Sequence, residues 1–105
     1  MDTATDETFE QAVIRSAIPA AVFFESMGCP FCARMAPTME ELAAQYAGKI
    51  KIVAMDVSQG ANTAVKYGVM GVPQVLIFKA GEKAGEIRGW ASKADVVKKL
   101  ESVLQ

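Results

Sequence analysis

The sequence predicts an α/β protein with a central mixed β-sheet flanked by helices on both faces. Compact apolar runs of strand length alternate along the chain with segments whose apolar residues recur every three or four positions. The last two runs, Val75 to Lys79 and Ala84 to Gly89, are joined across Ala80-Gly81-Glu82, a link short enough for an antiparallel hairpin. With 105 residues, 51% apolar and 22% charged, the chain can close one hydrophobic core and is short for two, so a single domain over 1–105 is expected.

The first segment, Glu7 to Ala17, sets Phe9, Val13 and Ala17 at helical spacing, with Asp6 placed to cap it and Pro19 to end it. Ala20 to Ser26 follows, and its run Ala21-Val22-Phe23-Phe24 suits a strand covered on both faces. From Pro30 to Ala47, Met35, Met39, Leu42 and Tyr46 recur at steps of four, three and four, the apolar stripe of an amphipathic helix that Gly48 stops. Inside it, Pro37 lacks the N–H that the helix would use, which predicts a kink. Ile50 to Val57 reads as a second buried strand, and Ala61 to Tyr67 as a short helix closed by Gly68. After the hairpin, Ser92 and Asp95 read as a capping box. The helix they open carries Val96, Leu100 and Val103 beside Val97 and Leu104. Sheets of this kind bind ligands beyond the carboxyl ends of their parallel strands, and Cys29 follows such an end.

Composition narrows the chemistry. A net charge of -1 leaves no cationic excess for phosphates, so nucleic acid and anionic membranes are not expected partners. No apolar stretch approaches the roughly 20 residues that cross a bilayer, and the acidic start with Asp2, Asp6 and Glu7 lacks a secretory signal's basic region. A cytoplasmic monomer is expected. There are two cysteines and no histidine. Two sulfurs do not close a zinc site, and Cys-His and Ser-His catalysis are excluded, so neither a metal nor a bound cofactor is expected.

What remains is the pair Cys29 and Cys32. At a helix start the backbone N–H groups lack internal partners and the macrodipole is positive, so a Cys29 thiolate is favoured over the thiol. Thiols in C-x-x-C motifs titrate anywhere from ~3.5 to ~7.5, against ~8.5 for a free one. Cys32, one turn further on the same face, can attack a mixed disulfide formed at Cys29, and Pro30 suits the first helical turn. A structural disulfide is the alternative, but so short a loop stabilises little.

The chain resembles the thioredoxin family over nearly its whole length. The resemblance rests on Phe24, Cys29-x-x-Cys32, Pro37, Asp56, Lys66-Tyr67-Gly68, Gly71-Val72-Pro73, Phe78, Gly81 and Gly89. It implies a thioredoxin-like fold and a thiol-disulfide oxidoreductase, acting on protein disulfides and re-reduced by a flavin-dependent thioredoxin reductase. It also implies a cis Val72-Pro73 peptide facing the cysteines, with Val72 offering backbone hydrogen bonds to an extended substrate. Pro30, Phe31, Met70, Val72, Pro73 and Trp90 make up the expected substrate-contacting set, in which Trp90 supplies the flat aromatic surface that Gly28 does not.

Several positions depart from the family. Gly28 stands where it has Trp, Pro30-Phe31 where it has Gly-Pro, Phe23 where it has a buried Asp, and Ala54 where it has a buried Lys. The usual proton acceptor for the second thiol is therefore missing. Glu25, two residues after Phe23 and so on the same strand face, is the candidate to replace it. Pro followed by an aromatic looks like glutaredoxins, which suggests a potential roughly between -270 and -200 mV. It also keeps open a glutathione-coupled reductase or a disulfide-forming oxidase. A binding or assembly module using the Val72-Pro73 groove without turnover is the reading from another class.

Overall fold

The computed structural model describes residues 1–104, and its element order gives the expected α/β class. Five strands, β1 (Asp2–Thr3), β2 (Ala20–Glu25), β3 (Lys51–Asp56), β4 (Gln74–Lys79) and β5 (Glu82–Arg88), form one sheet in the order β1-β3-β2-β4-β5. The β1, β3 and β2 strands run parallel, whereas β4 is antiparallel to both β2 and β5. Strand β2 is therefore central, with five of its six residues buried, which is why it reads as a continuous apolar run.

Helices cover both faces. Alternation along β2 sends Ala21 and Phe23 to one face, where Met35, Met39 and Leu42 of α1 (Pro30–Gln45) and Val96 and Leu100 of α3 (Lys93–Ser102) pack. Val22 and Phe24 face the other side, against Phe9, Val13 and Ala64 of α2 (Ala61–Lys66). There Phe9, Tyr67 and Phe78 form a trio with ring centroids 5.1 to 5.7 Å apart. Helix α1 runs unbroken through Pro37. It is tied to α3 by Tyr46, whose hydroxyl donates to Glu101 at 2.6 Å, and by the Lys93–Glu41 ion pair. Ser92 caps α3 by accepting from the Asp95 N–H.

The structure corrects four local expectations. The predicted helix over 7–17 is a five-residue π-helical turn, Glu10–Ile14, closed by the Arg15 N–H on the Glu10 carbonyl. Phe9 and Val13 are buried as their spacing requires, but Ala17 is exposed. Asp6 does not cap this segment. Its carboxylate accepts instead from the N–H groups of Asn62 and Thr63 and from the Thr63 hydroxyl, at 2.7 to 3.1 Å, and so caps α2, whose own N-cap is Gly60. These bonds, the Thr63 hydroxyl first, hold the Asp6 carboxyl below its ordinary pKa.

Strand β1 is an addition to the expected elements; it is two exposed residues paired to Val53 and Ala54, with no apolar pattern to reveal it. The last strand begins at Glu82, because the hairpin turns on Ala80 and Gly81 alone, at φ 53° and 81°. A bulge between Ile77 and Phe78 shifts the pairing of β4 with β5 by one residue.

Candidate active site

Both cysteines owe their places to the β2–α1 junction. Gly28 turns the chain at φ 79°, a backbone that side chains resist, and Cys29 follows as N-cap of α1 with Pro30 at the first helical position. The Cys29 Sγ accepts the Cys32 backbone N–H at 3.2 Å, and no acidic residue lies in the first turn to oppose negative charge there. In this structure Cys29 and Cys32 are disulfide-bonded, with Cα atoms 5.2 Å apart. Their surroundings differ: Cys29 is half-buried, whereas Cys32 is 2% exposed and packed in the core cluster of Phe23, Met35 and Val75. Attack from solvent therefore meets Cys29.

The α2–β4 loop approaches from across the sheet. The Val72–Pro73 peptide is cis, and the Val72 carbonyl oxygen lies 4.0 Å from the Cys29 Sγ. Pro73 itself is buried and Val72 half-buried. Phe31, between the two cysteines in the chain, is 54% exposed, and the Arg34 guanidinium lies 5.5 Å from its ring centroid; Met70, 96% exposed, lines a cleft with Val72 and Pro73, and Trp90, 52% exposed, follows Gly89, whose N–H donates to the Pro73 carbonyl. Pro30 is also exposed. Met27, at 94% exposure two residues before Cys29, escapes sequence reasoning, because a single methionine in a loop gives no periodic signal.

Glu25 ends β2, half-buried, opposite Asp56 in the parallel register. Its carboxylate has no hydrogen-bond or ion-pair partner among the described residues. Burial first, then the Asp56 and Glu40 carboxylates, raise its pKa above the ordinary value. Asp56 is itself held low by the Ser58 hydroxyl and N–H. Glu25 thus lies among carboxylates, on the strand face that carries Phe23. No group of side chains among the described residues has the make-up of a metal site.

Gln74, directly after Pro73, also escapes sequence reasoning. It is 4% exposed, one of two buried polar residues among those described, and it lines a cavity of about 270 Å³ beside the Val72–Pro73 segment. In the sequence it opens an apolar run and reads as a strand terminus.

Comparison with known proteins agrees with this geometry. The thioredoxin family model matches residues 1–102. The chain is 37% identical over 100 residues to "Thioredoxin 1" of Nostoc sp., covering 95% of this chain and 94% of that protein. It is 41% identical over 90 residues to "Thioredoxin C-2" of Corynebacterium nephridii, covering 86% and 83%. It is 36% identical over 104 residues to the chloroplastic "Thioredoxin M-type" of Pisum sativum, where it spans 99% of its own length and 60% of the relative's. With the expected mixed sheet, a disulfide at the start of the helix after the central strand and these relatives, the chain belongs to the thioredoxin family and is a thiol-disulfide oxidoreductase.

Proposed function

We propose that the chain works as a single-domain reductase of protein disulfides, with Cys29 as nucleophile and Cys32 as resolving thiol. The observation that carries this is the asymmetry of the pair: Cys29 is reachable, sits on the α1 N-terminus and accepts a backbone N–H, while Cys32 is buried behind it. In the dithiol form the Cys29 thiolate attacks one sulfur of a substrate disulfide, and the other sulfur leaves as a thiolate. Cys32, once deprotonated, then attacks the Cys29 sulfur, releasing the second substrate thiolate and closing the Cys29–Cys32 disulfide. Two electrons pass to the substrate.

The Val72 backbone beside Cys29 supports an extended substrate segment, and Phe31, Met70 and Trp90 supply apolar contact around it. Pro30 and Pro73 shape the two sides of the same surface. Glu25 is the group we assign to taking the Cys32 proton, supported by its raised pKa and its place on the Phe23 face. If Glu25→Gln leaves the pH dependence of reduction unchanged, that role is wrong.

We place the protein in a reducing compartment, the cytoplasm, because its only two cysteines are both spent on the redox motif. A monomeric state is supported by the charged β5 edge with Lys83, Glu86 and Arg88, which discourages strand pairing between copies.

Insulin reduction by the pure protein tests the function and its electron donor together. One series contains thioredoxin reductase and NADPH, the other glutathione with its reductase. Turnover in the first, abolished by Cys29→Ser, is the expected result. Turnover only with glutathione would assign the chain to the glutathione-coupled reading that Pro30-Phe31 raises. No turnover with a reducible disulfide would point to an oxidase, and a pair that resists reduction to a binding module.

A further inference from the structure

We propose that the cleft beside the Val72–Pro73 segment is a carboxylate subsite, in which Arg88 and Gln74 recognise an acidic group carried by the disulfide substrate. The proposal rests on the disulfide-reductase reading above and names the substrate class that this reductase prefers.

The cleft, about 270 Å³, is lined by residues that include Gly68, Met70, Val72, Pro73, Gln74 and Arg88, and no acidic residue lines it. Val72 lines the cleft and its carbonyl oxygen also lies 4.0 Å from the Cys29 sulfur, so the cleft opens at a residue that borders the reacting atom. Gln74 is 4% exposed, yet its side-chain amide makes no hydrogen bond among the described residues. No fully enclosed side-chain nitrogen or oxygen lacks a partner among the described residues, so this amide keeps contact with solvent, and Gln74 lines the cleft. A buried amide left open to a cleft is a donor and acceptor awaiting a ligand.

Arg88 is the cross-strand partner of Gln74 and projects from the same sheet face. Its Nε donates to Glu86 at 2.6 Å, and its two terminal nitrogens have no partner among the described residues. Lys83 binds the other oxygen of Glu86 at 2.6 Å, so two cations share one carboxylate and one positive charge is left over. A planar fork of N–H donors beside an amide donor, with no acid in the cleft, selects a carboxylate over a cation or an apolar group. Two sources bring a carboxylate next to a disulfide: an acidic side chain near the cysteine of a polypeptide, and the glutathione tripeptide.

Single-turnover reduction by the full chain, started from the dithiol, separates them. Two disulfide peptides differ only in Glu or Gln next to the attacked cysteine, and oxidised glutathione is paired with its methyl ester. The wild type should favour the acidic member of at least one pair by about fivefold in kcat/KM, the scale of one solvent-facing charged contact. Arg88→Met should abolish that preference, Arg88→Lys should keep part of it, and Arg88→Glu should reverse it; thermal unfolding checks that each variant is folded. Preference in the peptide pair identifies a polypeptide source, and preference in the glutathione pair identifies the tripeptide. Equal rates within both pairs, or a preference that survives Arg88→Met, would overturn the subsite while leaving the reductase reading intact. Failure to reduce any of the four compounds would overturn the reductase reading itself.

Discussion

Replacing Glu25 by Gln removes a carboxylate that burial, Asp56 and Glu40 together hold above its ordinary pKa. In the folded chain this group binds its proton more tightly than in the unfolded chain. The stability it contributes is therefore fully present below the ordinary carboxylate pKa and is lost as pH rises through the raised, folded value. Glu25 is only half-buried, so solvent screening keeps the penalty near neutrality on the scale of a solvent-facing charge contact, under about 1 kcal/mol. Urea unfolding of the oxidised wild type and of Glu25→Gln, below the carboxylate range and near neutrality, reads it directly. The variant should gain up to about 1 kcal/mol on the wild type between those two conditions. A stability difference that does not change with pH, or a wild type that gains on the variant as pH rises, would refute the electrostatic reasoning. The same variant bears on catalysis, because a carboxylate that costs stability when charged is one that holds a proton at higher pH than a solvated acid does.

Gly60 leaves no room for a side chain: a β-carbon there would fall on the Sδ of fully buried Met55, with its Cγ at 2.5 Å. Gly60→Ala should cost about 1–3 kcal/mol in urea unfolding, and at least about 1 kcal/mol less in a Met55→Ala background. Asp6→Ala should destabilise the protein by uncapping α2 from outside the helix. Because the Asp6 pKa is lowered on folding, the wild-type advantage is present above the ordinary carboxylate pKa and disappears as pH falls through the folded value. Unfolding curves for Asp6→Ala and wild type should therefore converge in acid; curves that stay apart would contradict the assignment of Asp6 as a cap.

The parts of the molecule legible in the sequence are those where one physical demand dominates. Met35, Met39 and Leu42 lie on one face because only that face meets the sheet, and all three are fully buried. The two cysteines stand at a helix start because Gly28 and Pro30 fix the turn and the first helical position. Long-range partnerships are not legible in this way. Asp6 looks like the cap of the segment it precedes, but its carboxylate serves residues 56 and 57 positions away. The two-residue β1 has only its pairing with β3 to define it. Gln74 reads as the polar end of a strand, and its role beside a cleft depends on Arg88 arriving from the next strand. The π-helical turn keeps the burial of Phe9 and Val13 that helical spacing requires, so the apolar pattern does not distinguish it from an α-helix.

The division of labour between the two sulfurs is the central claim, and trapping the mixed disulfide tests it most directly. Reduced Cys32→Ser, mixed with insulin, should accumulate a covalent adduct through Cys29 that mass spectrometry maps to that residue, because the resolving step is gone. Reduced Cys29→Ser should give no comparable adduct, since Cys32 is buried. An adduct on Cys32 of Cys29→Ser, with none on Cys29 of Cys32→Ser, would contradict the account.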